Sequence, residues 1–143
     1  MKTHIWKKAP RYLFAVFIVL AMTGMALSAT MRIKVLGAQT GRVSKDRQTI
    51  HFWVDVRNLT KHEYIQQINY LNVEVTGNWG NGRQEKYRRR VDVDWIFDPA
   101  LGPGETAEEL QATFRRKINP YRGQFIYDSV QIRVLEYNFT RAS

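Results

Sequence analysis

Hydrophobic and polar residues alternate along most of the chain with a period of two. Residues 50–56 read IHFWVDV, so apolar side chains occupy every second position. This spacing is typical of a half-buried β-strand, because successive side chains of a strand point to opposite faces of its sheet. Two shorter strands are predicted at residues 33–36 and 109–115. The alternation predicts three more strands, carried by Leu71, Val73 and Val75; by Val91, Val93, Trp95 and Phe97; and by Val130, Ile132 and Val134.

Segments rich in glycine, asparagine and proline separate these strands. Residues 77–82 read GNWGNG and predict a hairpin tip, since Gly and Asn accept positive φ angles. Residues 98–104 hold two prolines and two glycines and predict a loop, as do residues 119–123. Thr106–Lys117 also fits a helix through its apolar spacing, but the surrounding strands favour a loop followed by a strand. The predicted fold class is an all-β, immunoglobulin-like β-sandwich of six or seven strands.

The N-terminal region departs from this pattern. Residues 13–29 carry no charge, and residues 12–30 would form a helix of about 28 Å, close to the hydrocarbon core of about 30 Å. The segment is longer than the apolar core of a usual signal peptide, so we predict a retained transmembrane signal-anchor rather than cleavage near residues 26–29. The residues predicted to lie at the membrane interface are Trp6, Lys7, Lys8, Arg11 and Tyr12.

The short basic tail decides the predicted orientation. Placing the large domain in the cytoplasm would require the N-terminal amine and four cations to cross the membrane, whereas long domains translocate largely regardless of charge. We therefore predict a cytoplasmic tail at residues 1–11, a membrane-spanning helix in contact with lipid at residues 12–30, and an extracytoplasmic sandwich at residues 31–143. The predicted location is the inner membrane, with the sandwich in the periplasm or outside.

Composition narrows the function classes. The chain of 143 residues is the size of one domain and has no cysteine, which excludes disulfides, thiolate metal sites and a cysteine nucleophile. From residue 32 onward, 18 basic and 13 acidic residues give a net charge of +5. A basic surface suits an acidic partner, and the predicted extracytoplasmic location argues against nucleic acid.

Three short strings resemble a known family. They are VDVRN at residues 54–58, YLNVEV at residues 70–75 and LGPGET at residues 101–106. Together they resemble bacterial membrane-anchored immunoglobulin-like domains of the FxLYD type, although the F-x-L-Y-D string itself is absent. The resemblance implies a non-catalytic extracytoplasmic module and assigns no functional residue.

No cluster of residues in the sequence predicts catalysis, a cofactor or a metal. The three histidines are His4, His51 and His62, and His4 belongs to the predicted cytoplasmic tail. Asp92 and Asp94 would share a strand face, but cations lie just before them, so a surface salt-bridged across strands is the preferred interpretation over calcium. Nucleophile elbows, phosphate loops and H-E-x-x-H motifs are missing.

A basic run next to the predicted hairpin tip is the candidate partner-binding surface. In a strand, Lys86, Arg88 and Arg90 would point one way and Tyr87 and Arg89 the other. The row either protects a solvated edge by its charge or binds an acidic partner. Trp79 at the tip either folds back over the sandwich or anchors a partner, and the second interpretation is preferred. The predicted partner-binding residues are Trp79, Arg83, Lys86, Arg88 and Arg90.

The predicted function is therefore structural rather than enzymatic. We expect an accessory or assembly subunit that docks on protein subunits of a membrane complex of the respiratory, photosynthetic or secretion type. The alternative is a periplasmic or surface module that binds a polyanion or acidic partner through the Arg-rich patch.

Overall fold

The computed structural model describes residues 4–6, 29–119 and 126–143, which form seven β-strands. Within these residues there is no helix, so none that could cross a membrane. The predicted membrane-spanning segment lies almost entirely outside the described residues, as do Lys7, Lys8, Arg11 and Tyr12. The strands are β1 (His4–Trp6), β2 (Met31–Ser44), β3 (Arg47–Asn58), β4 (Ile65–Asn78), β5 (Gln84–Leu101), β6 (Thr106–Lys117) and β7 (Ser129–Arg141).

The strands form two sheets that share one hydrophobic core. One sheet has the order β1-β5-β4-β7 and the other the order β2-β3-β6. All neighbours are antiparallel except β1, which pairs with β5 in parallel. The sheets approach each other where β2 lies beside β7 and β5 beside β6. The all-β prediction is confirmed, and two packed sheets are consistent with a β-sandwich.

The phase of the predicted strands is confirmed by burial. The apolar residues that define each alternating run face the core, and the polar residues between them face outward except for the buried Asp55 on β3. Val54 and Val73 are completely buried, whereas Asp92 on β5 is exposed. Burial of these side chains is the main favourable term for a domain without disulfides.

Most strands are longer than the sequence predicted; β2, for example, spans Met31–Ser44 rather than residues 33–36. Two further differences change the assignment of a segment. The predicted loop at residues 98–104 is wrong for its first four residues, because β5 continues to Leu101. Pro99 is accommodated because the β4–β5 register is irregular here, and bulged positions need no donated ladder hydrogen bond. β6 begins at Thr106 rather than at residue 109, and it is a strand and not a helix. A bulge at Glu109 interrupts the two-residue alternation, so the first residues of β6 do not continue the pattern of the residues after them.

β1 adds a short strand to the free edge of β5. Its three residues pair with Trp95, Ile96 and Phe97. The topology predicted from sequence places residues 4–6 in a cytoplasmic tail, across the membrane from β5. The two arrangements are mutually exclusive in one molecule, so the position of the N-terminus is a decisive measurement.

A buried asparagine joins the loops where β3 ends. Asn58 Nδ2 donates to the backbone carbonyls of Glu63, at 2.8 Å, and Leu101, at 2.9 Å. Its Oδ1 accepts from the backbone N–H of Thr60 at 2.9 Å. The VDVRN and LGPGET strings therefore meet in space, and their contact here is a structural one. We call the end of the sandwich that contains Asn58 the proximal end, and the end that contains the β4–β5 hairpin the distal end.

Candidate functional site

The predicted basic residues on β5 form one exposed row. Lys86, Arg88 and Arg90 alternate with half-buried Tyr87 and Arg89, as the sequence predicted. Lys86 and Arg88 form no ion pair with any described residue. Since all the Asp and Glu residues of the chain are among the described residues, these two cations remain available to an external acid.

The third cation of the row is partly engaged. Arg90 Nε lies 3.0 Å from Asp92 Oδ1, and its guanidinium lies over the Tyr70 ring, 3.8 Å from the ring centroid. Asp92 is therefore salt-bridged, although its partner lies two residues away on the same strand and not on a neighbouring strand as predicted. An exposed pair of this kind contributes at most about 1 kcal/mol, so a partner could displace it at low cost.

A shallow groove runs beside the row on the same sheet face. It has a volume of about 530 Å³ and lies between Lys86 on β5 and Arg133 on β7, with Glu74 and Thr76 of β4 at its floor. Arg133 Nε pairs with Glu74 Oε1 at 3.6 Å. Arg133 was missed in the sequence analysis, because its place on the same sheet face as the basic row follows from the pairing of β7 with β4, which also pairs with β5.

Trp79 packs against its own domain. Its side chain is half-buried, and its ring centroid lies 5.8 Å from that of Tyr127. The exposed guanidinium of Arg83 lies 5.6 Å from the Trp79 ring centroid. The structure thus places Trp79 in the first of its two predicted arrangements, folded back over the sandwich. Tyr127 supplies the covering neighbour that the sequence analysis did not foresee, and a role of the half-buried Trp79 as a partner anchor stays a prediction.

A buried polar cluster lies under this hairpin. Gln48 Nε2 donates to the Tyr127 carbonyl, and Gln48 Oε1 accepts from the Tyr127 backbone N–H, both at 3.0 Å. Arg116 Nη1 donates to Gln48 Oε1 at 2.9 Å, and its guanidinium lies over the Tyr127 ring at 3.7 Å. The Tyr127 hydroxyl donates to Glu85 Oε1. The cluster fixes the hairpin to the other sheet.

Burial shifts the titration of both tyrosines in this cluster. Burial raises the pKa of Tyr127 far above its ordinary value of 10.0, and the hydrogen bond to Glu85 raises it further. Burial also raises the pKa of Tyr87, against the opposing charges of Arg116 and Arg89. Both phenols are neutral at physiological pH, and that of Tyr127 serves as a hydrogen-bond donor to Glu85.

Charge is unevenly distributed between the two ends of the sandwich. The distal half comprises residues 38–52, 72–90, 112–119 and 126–135, and the other described residues from 29 onward form the proximal half. The distal half has twelve Lys and Arg against four Asp and Glu, a net of +8, whereas the proximal half has five against nine, a net of −4. The distal cations are Arg42, Lys45, Arg47, Arg83, Lys86, Arg88, Arg89, Arg90, Arg115, Arg116, Lys117 and Arg133.

The second sheet contributes its own basic groove at the distal end. It has a volume of about 380 Å³ and is lined by cations of β2, the β2–β3 turn, β3 and β6. The carboxylate of Asp46 is also part of the lining. Arg42, Lys45 and Arg115 are exposed there. Both sheets therefore present positive charge at the same end of the molecule.

No protein-family model, curated protein or solved structure matches this chain. Across residues 4–6, 29–119 and 126–143, no three His, Asp or Glu side chains are grouped to hold a metal ion. His51 faces outward and bonds with Thr113, Asp92 pairs with Arg90, and Asp94 accepts from Gln67 at 3.4 Å.

Proposed function

We propose that this chain is a non-catalytic, single-pass membrane protein and an accessory or assembly subunit of a larger membrane complex. Residues 12–30 would anchor it in the inner membrane, with residues 1–11 in the cytoplasm and an immunoglobulin-like sandwich outside. The uncharged run at residues 13–29, the basic residues before it and the likeness to FxLYD-type domains support this assignment.

The observation that carries the proposal is the charge difference between the two ends. The distal half has a net charge of +8 and the proximal half a net charge of −4. This difference attracts the acidic surface of a partner to the distal end and orients the partner as it approaches. Unpaired Lys86 and Arg88 supply cations that need not leave an existing partner. The proposed docking surface is the basic row, Arg83 and the groove beside Arg133.

The position of the anchor points to a protein partner. β2 begins at Met31 at the proximal end, directly after the proposed membrane helix. A strand of 14 residues is about 45 Å long at about 3.3 Å per residue. The basic groups would therefore project away from the lipid headgroups and toward another subunit of the complex.

Charge-reversal variants test the docking surface against a matched control. Lys86→Glu with Arg88→Glu changes the distal end, and Lys34→Glu with Lys61→Glu makes the same charge change at exposed proximal positions. After extraction in a mild detergent, native mass analysis should show the parent and the proximal variant in a large assembly and the distal variant released. Equal retention of both variants would remove the basic row from the docking surface.

The position of the N-terminus tests the anchor separately. Protease treatment of sealed cells should leave an N-terminal epitope protected and digest the sandwich. The intact mass of the extracted protein should include the first residues of the chain. An epitope accessible from outside would instead agree with β1 beside β5 and would overturn the proposed topology. A mature chain beginning near residue 28 would overturn the anchor.

A polyanion is the second candidate partner, favoured by the basic grooves on both sheets. Polyanion binding depends steeply on salt, because each neutralised charge releases counterions. Heparin-column retention of the full chain that falls sharply between low and high salt, with no co-extracted protein subunit, would favour this candidate over the first.

A further inference from the structure

The outward face of the β2-β3-β6 sheet has an open trough beside a tryptophan. Trp53 lies on β3, the middle strand, opposite Gly37 on β2 and Gln111 on β6. A Cβ atom placed on Gly37 would meet nothing within 4 Å, so that side of the half-buried indole is uncovered. The resulting groove has a volume of about 420 Å³ and is lined by Leu36, Gly37, Trp53 and Glu109.

A strained residue brings a carboxylate to the rim of this trough. Glu109 has a φ of 57°, a left-handed conformation that non-glycine residues adopt at a cost of about 1–2 kcal/mol. The buried carboxylate of Asp55 holds it there by accepting its backbone N–H at 2.9 Å. The bulge breaks the regular register between β3 and β6, and the exposed Glu109 side chain lines the groove. Bulges next to binding sites commonly redirect a side chain in this way.

Neutral hydrogen-bonding groups extend the trough along the strands. The ring centroid of His51 lies 6.2 Å from that of Trp53, with an interplanar angle of 33°. His51 Nδ1 lies 3.0 Å from Thr113 Oγ1 and 3.3 Å from Gln111 Nε2. Gln39 is the cross-strand neighbour of His51 on β2. The face therefore offers an aromatic centre with donors and acceptors on both sides.

We infer that this trough binds a neutral oligosaccharide, with one sugar ring stacked on Trp53. A sugar ring has an apolar C–H face that fits an indole, and hydroxyl edges that both donate and accept hydrogen bonds. Glu109 accepts from a hydroxyl at the rim, and Gln111 and Gln39 bond to neighbouring sugars. Trp53 and Leu36 are the large apolar residues of the lining, too little apolar surface for the buried core of a protein interface.

This site is independent of the proposed docking function. The groove itself lies on the other sheet and in the proximal half, and His51 and Gln39 extend the face into the distal half, whereas the basic row occupies the distal half of β5. The groove lining holds one carboxylate, Glu109, and no Lys or Arg, which disfavours an anionic polymer there. Loss of sugar binding and loss of docking should therefore separate in different variants.

Two variants test the trough by different means. Trp53→Ala removes the stacking surface, and Gly37→Val places a branched side chain in the open space, where its Cβ would meet nothing within 4 Å. A β-branched residue also suits a strand, so Gly37→Val is expected to keep the melting temperature. Tyr64→Ala, which removes an aromatic that is 52% exposed elsewhere, is the matched control.

The binding experiment uses the full chain in a detergent without a sugar headgroup. The probes are neutral hexasaccharides of glucose, N-acetylglucosamine and xylose, titrated against intrinsic tryptophan fluorescence and by calorimetry. At least one probe should bind the parent and Tyr64→Ala equally. Its dissociation constant should rise at least about tenfold in Trp53→Ala and in Gly37→Val, the effect of losing a central aromatic contact.

Three results would overturn the inference. The first is no binding of any probe up to millimolar concentration. The second is a probe that binds Gly37→Val as tightly as the parent, which would place the sugar away from the trough. The third is a dimer of the parent that dissociates in Trp53→Ala without sugar, which would make this face an interface between two copies. The distal Lys86→Glu, Arg88→Glu variant should bind the probe normally even if it is released from its complex.

Discussion

Gly77→Ala should strongly destabilise the domain although it adds only one methyl group. Gly77 is buried on β4 beneath the ring of Tyr127. A Cβ atom at Gly77 would lie 2.2–2.4 Å from three carbons of that ring, whereas ordinary van der Waals contact begins at 3.4 Å. The ring or the strand would therefore have to move by more than 1 Å.

The surroundings prevent the ring from retreating. The guanidinium of Arg116 lies 3.7 Å from the Tyr127 ring centroid, and the hydroxyl is bonded to Glu85. Overpacking of a core costs about 1–3 kcal/mol, and we expect the upper part of that range here. For a domain of this size such a loss should lower the melting temperature by about 10 °C.

Urea denaturation followed by circular dichroism measures this loss, with two controls. Gly37→Ala is the same substitution on a strand with open space, and it should be neutral or slightly stabilising. In a Tyr127→Leu background, Gly77→Ala should cost much less free energy of unfolding than in the parent, because the ring atoms that meet the new Cβ are gone. An equal loss in both backgrounds, or no loss in the parent, would refute this account of the packing.

Four further predictions address the core, the hairpin, the titration of the buried tyrosines and the strained bulge. Val93→Asp would bury a carboxylate at a position that is 6% exposed and should reduce the free energy of unfolding by at least about 3 kcal/mol; a variant that melts like the parent would show that the assigned strand phase is wrong. Trp79→Ala removes the ring that covers Tyr127 and should reduce the free energy of unfolding by about 1–3 kcal/mol, seen as a lower melting temperature; an unchanged melting curve would favour a tryptophan available to a partner. The raised pKa values of Tyr127 and Tyr87 mean that the unfolded chain releases these protons first, so stability should be full below pH 10 and fall as the pH rises above 10; denaturation between pH 8 and about 11 checks this, and a flat profile would contradict it. Glu109→Gly should raise the free energy of unfolding by about 1 kcal/mol, because glycine adopts the φ of 57° without strain; a loss of stability would mean that the Glu109 side chain stabilises the fold.

The alternation of residues along each segment was sufficient to predict the fold class and most of the core. Val54, Val73 and Val93 face inward as predicted, because the two-residue period of a strand is a local property of the backbone. The same reasoning predicted that Lys86 and Arg88 share a face. Where a bulge interrupts the period, as at Glu109, the local signal ended too early and the start of β6 was missed.

The arrangement of the candidate surfaces depended on tertiary structure. Whether Trp79 is covered depends on Tyr127, which lies 48 positions along the chain and is held at the hairpin by the cluster around Gln48 and by the pairing of β7 with β4. The basic distal end forms because antiparallel register aligns the cations of β2 and β6, and packing of the two sheets places those of β5 at the same end. The trough beside Trp53 likewise exists because the register places Gly37 opposite it. Alternation assigns a side chain to one face of its own strand, whereas its neighbours are set by pairing and packing between distant segments, which a local pattern does not encode.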